Sequence, residues 1–181
     1  MNDGLIPNRY AKALYAYAKE QGAAESVYGE TSRLAGSYAV ESGLAKAVEN
    51  PFLPLADKVN VLLAASGAAP GKSLDRFFKL VLSHGRESML LQMALAYGKL
   101  YRKENGISQV EIATASEIPE SDLKKIRNYV QSCLGGRKLE CKEIVNPSLI
   151  GGFTIKVDSL LLDASISNEL RNLRLKLLSR K

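Results

Sequence analysis

Histidine, cysteine and tryptophan are scarce in this sequence: its 181 residues include one histidine, two cysteines and no tryptophan. Cys133 and Cys141 are eight positions apart, a spacing that fits neither a CxxC redox pair nor a zinc pair, and His84 brings no second ligand cluster. We therefore expect no metal and no cofactor, and we interpret both cysteines as reduced, buried core residues. A chain of this length buries roughly 70% of the surface that its unfolded form exposes, so it needs no disulfide or metal ion to stabilise its fold.

Long hydrophobic runs are also absent. No segment approaches the roughly 20 consecutive apolar residues that span a bilayer, so we expect that the protein does not cross a membrane by itself. Its first residues have the build of neither a secretory signal nor a transit peptide, and we expect it to work in the compartment where it is made. A hydrophobic content of 46% excludes a disordered chain.

The excess of positive charge is +6 and is spread over both halves of the chain. Its one local concentration lies near the C-terminus and comprises Arg171, Arg174, Lys176, Arg180 and Lys181. Basic residues in the last turn of a helix complement the helix dipole. We therefore favour a solvated helix here, with a phosphate-binding patch as the alternative.

Helical periodicity runs through the first hundred residues and predicts six helices joined by short loops. The first helix can open at Pro7, and it carries Tyr10, Leu14 and Tyr17 on one face. The strongest amphipathic pattern lies in the fifth helix and consists of Leu74, Phe77, Phe78, Val81 and Leu82. Six such helices predict a bundle over residues 1–105.

Beyond Gly106 the hydrophobic period becomes two. Val110, Ile112 and Thr114 alternate with polar or small residues, as do the residues around Leu139 and those from 153 to 157. A turn at 158–159 leads into a fourth apolar run at 160–162. These four segments predict the strands of one small sheet.

Two helices accompany the predicted strands. One opens near Pro119, closes at the glycine pair 135–136 and separates the first two strands. The other is capped by Ser165 or Ser167, and its expected inward residues are Ile166, Leu170, Leu173 and Leu177. The order βαβββα predicts a small domain over residues 106–181, so the fold class is α+β, with a six-helix bundle first.

The sequence contains no complete motif of the common catalytic or nucleotide-binding types. The run GAAPGKS at 67–73 is one residue short of the phosphate-binding loop GxxxxGK[ST], and it follows a predicted helix instead of a strand. A GxSxG elbow, an HExxH helix and closely paired carboxylates are missing. Because these catalytic motifs are missing, we predict a protein that is not an enzyme.

Seven of the eight tyrosines lie in the first 101 residues, either as ordinary core or as anchors of a partner-binding surface.

Four stretches of sequence resemble one known family. They are RYAKAL at 9–14, the break at Asn50-Pro51, Asn105-Gly106 before the first strand, and above all VNPSLIGGFTIKVD at 145–158. Together they resemble the delta subunit of bacterial F-type ATP synthases, the counterpart of the mitochondrial oligomycin-sensitivity-conferring protein. The resemblance extends over essentially the whole chain and its two-domain order.

The resemblance implies a non-catalytic subunit of the peripheral stalk, or stator. In such proteins the helical domain takes the N-terminal helix of an α subunit into a groove between the first and fifth helices. Carried over by position, the groove residues are Tyr10, Ala13, Leu14, Tyr17, Phe77, Phe78 and Val81. An amphipathic helix laid in an apolar groove is a common mode of recognition.

The resemblance also implies that the second domain grips the C-terminal helices of the b subunits. Candidate contacts are Leu160, Leu161, Leu162 and Ile166, and the alternative is that these residues close the domain's own core. The glycines at 151 and 152 are interpreted as backbone devices for a bulge or close approach.

The implied setting is the cytoplasmic face of the bacterial cell membrane, where one copy joins the synthase head to the proton-translocating sector and resists rotor torque during ATP synthesis. The isolated protein is expected to be a monomer that binds no nucleic acid. The competing hypothesis is a small RNA-binding protein that uses its C-terminal basic residues, with affinity that falls steeply as salt rises.

Overall fold

The computed structural model describes residues 4–133, 137–157 and 160–178. The chain forms two compact units, Met1–Glu104 and Asn105–Lys181. None of the helices in the described ranges combines the length and the apolarity that crossing a membrane requires. The predicted features at 134–136, 158–159 and 179–181 lie outside the described residues.

Helices make up the first unit, as the periodicity predicted. Within the described residues they are α1 Leu5–Glu20, α2 Ala24–Val40, α3 Ser42–Glu49, α4 Leu55–Ser66, α5 Ser73–Ser83 and α6 Leu90–Asn105, with a 3-10 turn at Glu87–Met89 before α6. Pro54 precedes the first residue of α4, and Gly67 ends that helix with a left-handed backbone of φ 64°. The prediction of six helices is confirmed.

The core of the first unit takes one stripe from each helix. Its largest fully buried side chains include Leu34, Leu62, Leu74, Phe78 and Tyr97. The side chain of Tyr97 is completely buried, and its hydroxyl donates a hydrogen bond to the backbone oxygen of Ala24 at 3.0 Å. Because of this bond, the buried hydroxyl has a partner. Some tyrosines of this unit are thus core residues, as one of the two hypotheses held.

The second unit has the predicted order βαβββα. It contains β1 Ile107–Thr114, α7 Glu120–Cys133, β2 Lys138–Val145, β3 Gly152–Val157, β4 Leu160–Ser165 and α8 Ile166–Leu178, with a 3-10 turn at Pro147–Leu149. The sheet order is β2-β1-β3-β4. β1 and β2 are parallel, because α7 carries the chain back between them, and the other pairs are antiparallel. The α+β fold class is confirmed.

One face of this sheet is only partly covered. Val110, Ile112 and Ile155 form its core with Val130 of α7. Ile155 lies opposite Leu162 of β4, so both side chains point to the same face. Leu162 is nevertheless exposed, because α7 covers the inner strands and leaves the edge strand β4 bare.

The expectation that α8 buries its leucines is wrong. Ile166, Leu170, Leu173 and Leu177 are 45%, 52%, 56% and 74% exposed, and no described residue of α8 is buried. The physical reason is the connection: β4 ends at Ser165 and α8 begins at the next residue, which leaves no loop to turn the helix back across the sheet. The predicted cap is present, since Ser165 Oγ accepts a hydrogen bond from the Asn168 amide at 3.2 Å.

The interpretation of the paired glycines as backbone devices is confirmed at Gly152, where backbone approaches backbone, whereas Gly151 makes room for the side chain of Ile166. A Cβ on Gly151 would lie 2.5 Å from Cδ1 of Ile166, and one on Gly152 would lie 2.2 Å from the backbone oxygen of Ala164. Gly152 also has φ 75°, and Ile150, two residues earlier, has φ 66°. Only glycine lets β3 start this close to β4.

The two cysteines differ in environment, and the prediction that both are buried is wrong for one of them. Cys141 packs, half-buried, against the sheet core, and this burial raises the pKa of its thiol. Cys133 is exposed because it is the last residue of α7, one turn past Val130, which is the side chain that packs on the sheet.

Substituting Gly152→Ala tests the close approach of β3 to β4. The added methyl group meets backbone at a positive φ, so we expect unit two to lose about 2–4 kcal/mol of stability. Gly36→Ala is the matched control, since a Cβ there meets nothing within 4 Å in the middle of α2, and it should be neutral or stabilising. Amide hydrogen exchange of the β3 and β4 peptides measures the effect, and unchanged protection in Gly152→Ala contradicts it.

Thiol labelling tests the two cysteine environments. At pH 8 we expect a soluble maleimide to modify Cys133 at least tenfold faster than Cys141, because Cys141 is shielded and the raised pKa leaves it less thiolate. Peptide mass spectrometry of time points assigns each label. Equal rates, or faster labelling of Cys141, would show that the sheet does not protect it.

Candidate functional site

An apolar groove lies between α1 and α5 and is open to solvent. Its volume is about 310 Å³. The residues that line it are Tyr10, Ala13, Leu14 and Tyr17 from α1, and Ser73, Arg76, Phe77 and Leu80 from α5. Each set repeats at i, i+3, i+4 and i+7, so each helix contributes one stripe along the groove.

The floor of the groove is rigid because its residues also belong to the core. Leu14 and Phe77 are buried, while Tyr10 and Tyr17 are half-buried. The rings of Tyr10 and Phe77 meet edge to face, with centroids 6.3 Å apart. Ala11 and Ala18 on the core side of α1 are small enough to seat the helix closely on the bundle. A fixed apolar floor with tyrosine walls results.

Five of the seven predicted groove residues line this groove: Tyr10, Ala13, Leu14, Tyr17 and Phe77. Phe78 and Val81 do not, because both are 0% exposed and face the bundle core from the other side of α5. The sequence reasoning missed Ser73, Arg76 and Leu80. Leu80 lies three residues after Phe77, a spacing that signals it as part of a second apolar stripe on α5.

The two tyrosines at the ends of the α1 stripe each accept a hydrogen bond from an arginine, of which Arg76 lines the groove and Arg86 lies behind Tyr10, outside the lining. Arg76 Nη1 donates to the Tyr17 hydroxyl at 2.8 Å. At the other end, Arg86 Nη1 donates to the Tyr10 hydroxyl at 3.0 Å, and Cζ of Arg86 lies 5.3 Å from the centre of the Tyr10 ring. His84 Nδ1 is also hydrogen-bonded to the Tyr10 hydroxyl, at 3.0 Å. The apolar floor thus has a tyrosine hydroxyl with a basic partner at each end.

The second unit carries exposed apolar side chains on β4 and α8, which we call together the β4–α8 surface: Leu160, Leu161, Leu162, Ile166, Leu170, Leu173 and Leu177. Within β4, Leu160 and Leu162 lie on one face of the sheet and Leu161 on the other. The first three leucines are 72%, 66% and 53% exposed. The alternative that these residues close the domain's own core is therefore wrong in this structure. An apolar depression lined by Ile126, Tyr129, Phe153, Ile155 and Leu162, with Lys125 at its edge, continues the surface toward α7.

The loop at 67–73 has no cradle for phosphate. It follows α4 instead of a strand, and the Gly71 amide donates to Asp75 Oδ2 at 2.8 Å. A carboxylate of the protein itself therefore occupies a backbone donor that such a loop would offer to an anion. Across the described ranges, no group of three or more His, Cys, Asp and Glu side chains is placed to hold a metal ion.

Comparisons with known proteins agree with one another. Residues 6–177 match the family model described as the ATP synthase delta (OSCP) subunit. The chain is 36% identical to the ATP synthase subunit delta of Parabacteroides distasonis over 184 residues, covering 100% of both, and 38% identical to that of Phocaeicola vulgatus over 172 residues, covering 94% of this chain and 92% of the relative.

A solved structure shares the fold. A chain in the cryo-EM structure of the Toxoplasma gondii mitochondrial ATP synthase hexamer superposes with a TM-score of 0.71 at 22% identity, covering 95% of this chain and 97% of that one. At this level of identity the likeness concerns the fold alone, and the family match rests on the sequence comparisons.

Proposed function

This chain belongs to the ATP synthase delta (OSCP) subunit family, and on that premise we propose how a peripheral-stalk subunit of an F-type ATP synthase uses the two surfaces described above. The groove between α1 and α5 receives the N-terminal helix of an α subunit in the catalytic head. The β4–α8 surface receives the C-terminal helices of the b subunits. The protein has no active site of its own and holds the head against the torque of the rotor.

One observation carries the first contact: an open apolar groove bounded by two helices, with a floor that the core holds rigid. The groove runs along α1 from Tyr10 to Tyr17, which is about two helical turns. An amphipathic helix laid along it would bury its apolar face on Leu14, Phe77 and Leu80. Because the floor is preformed, little conformational entropy is lost on binding.

The exposed leucines of the second unit support the contact with the b subunits. Ile166, Leu170, Leu173 and Leu177 follow one another at intervals of four, three and four residues, the spacing of a coiled-coil seam. Such a seam is typical of a helix that packs along another helix. Leu160 and Leu162 of β4 extend the same apolar surface into the sheet. The C-terminal helices of b are partners of this shape.

The proposed role is mechanical, and the two surfaces suit it. Large apolar contacts dissociate slowly, so each contact stays bound during many turns of the rotor. We place the protein, as one copy, at the cytoplasmic face of the bacterial cell membrane, where it reaches the membrane only through the complex. Linking the head to the proton-translocating sector in this way lets proton flow drive ATP synthesis.

The groove contact is tested with the full chain and a synthetic peptide that has the sequence of the α N-terminus. We expect Leu80→Asp to weaken binding at least tenfold, because it places a charge on the apolar floor. Leu95→Asp is the matched control, since Leu95 on α6 is similarly exposed and does not line the groove. Isothermal titration calorimetry measures both variants after circular dichroism shows them folded. Equal weakening by the two variants contradicts the groove assignment.

The contact with the b subunits is tested by crossing variants of the two surfaces. We expect Leu173→Asp to weaken binding of a peptide from the C-terminal helix of b at least tenfold, because it breaks the apolar seam, and to leave the α peptide unaffected. Leu80→Asp should do the reverse. Fluorescence anisotropy with labelled peptides gives all four affinities. If Leu173→Asp leaves the b peptide unaffected, α8 is not its binding surface.

A further inference from the structure

Resting on the proposed function, we propose that the groove selects a partner helix that carries carboxylates, and that Arg76 and Arg86 bind one carboxylate at each end of the apolar floor. The proposal concerns the chemistry of the partner, beyond the fact of its binding. Its basis is the placement of the two guanidinium groups and the engagement of the acids nearest to them in the chain.

Arg76 lies in the wall of the groove and has hydrogen-bonding capacity to spare. A guanidinium has five N–H donors in a planar fork. The Tyr17 hydroxyl accepts from Nη1 of Arg76 at 2.8 Å, which fixes the side chain beside the floor. Among the described residues Arg76 forms no ion pair within 4.0 Å. A carboxylate on a bound helix would meet a positioned cation.

Arg86 is held still more firmly. Its guanidinium lies over the Tyr10 ring and donates to the hydroxyl of the same residue, and that hydroxyl is also hydrogen-bonded to His84 Nδ1. The contact with the Tyr10 ring and the hydrogen bond to the Tyr10 hydroxyl orient the planar guanidinium group before a partner binds. A preorganised arginine loses less side-chain entropy when it forms a charged hydrogen bond.

The acids next to these arginines are already engaged. Asp75 precedes Arg76, but it is buried, and its Oδ2 accepts from the Gly71 amide and from Lys79 Nζ at 2.9 Å. The Lys79 ammonium holds the pKa of that carboxyl below its ordinary value, so Asp75 stays ionised and paired. The nearby Arg76 charge also lowers the pKa of Asp75, but Arg76 forms no ion pair with it, so guanidinium donors of Arg76 remain available to a partner.

The same holds at the other end of the groove. Glu87 follows Arg86, but its Oε1 forms an ion pair with Lys58 at 3.1 Å, and both side chains are largely buried. From residue 72 to residue 86 the chain has four basic side chains and one acid, the paired Asp75. Lys79 is paired with that acid, and among the groove-lining residues the charged side chain is Arg76, with no acid beside it, which favours an acidic partner helix.

The positions of the two arginines give the spacing of the carboxylates. Tyr10 and Tyr17, which hold Arg86 and Arg76, are seven residues apart on α1, roughly 10 Å at the rise of an α-helix. A partner helix that lies along the groove would carry its two acids about seven residues apart, beside its apolar stripe.

The test pairs two peptides with charge-removing variants of the full chain. One peptide has the native sequence of the α N-terminus, and the other has each Asp and Glu replaced by Asn and Gln. We expect Arg76→Gln and Arg86→Gln each to weaken the native peptide about three- to tenfold and the neutral peptide less than twofold. Lys46→Gln, which removes an exposed charge from α3, is the control and should affect neither peptide.

Raising NaCl from about 0.05 M to 0.5 M should weaken the native peptide more than the neutral one. Equal losses for both peptides in the arginine variants would overturn the proposal, because the arginines would then act only by shaping the tyrosine walls; so would no loss in either peptide. Arg76 is exposed, so its variant decides the matter if Arg86→Gln fails to fold. If the folded wild-type chain binds neither peptide, the proposed function itself fails and takes this proposal with it.

Discussion

The two-sided packing of α5 is the constraint on which the first unit depends. Phe78 and Val81 fill the bundle core from one side of this helix, and Phe77 and Leu80 face the groove from the other. The helix can stay fixed while the groove is empty because the core side holds it. A stator must bind firmly under load, and a groove whose floor is also core suits that task, because a closely packed interior resists compression.

The second unit offers its proposed partner a surface of a different kind. Its edge strand passes directly into α8, so the leucines of both elements stay at the surface. An exposed apolar surface of this extent is unusual for a domain that stays isolated and is typical of a domain that binds a partner. Of the basic residues that suggested RNA binding, Arg174 and Lys176 lie in α8 on either side of this apolar seam.

Much of the fold follows from local sequence. The change from a helical period to alternation near Gly106 predicted the two kinds of secondary structure, and the glycines at 151–152 marked the close approach of β3 and β4. The prediction that the apolar residues of α8 face inward failed because hydrophobic periodicity identifies the apolar face of a helix but not what covers that face. The pairing of Arg86 with Tyr10, 76 positions apart, depends on tertiary contacts that no local pattern records.

We propose that the groove between α1 and α5 holds the N-terminal helix of an α subunit. The most direct test is an NMR titration of the isotope-labelled full chain with the unlabelled peptide of that helix. We expect amide shifts and intermolecular nuclear Overhauser effects to concentrate at the groove-lining residues of both helices, including Ala13 and Leu80. Effects confined to the β4–α8 surface, with the groove unperturbed, would contradict it.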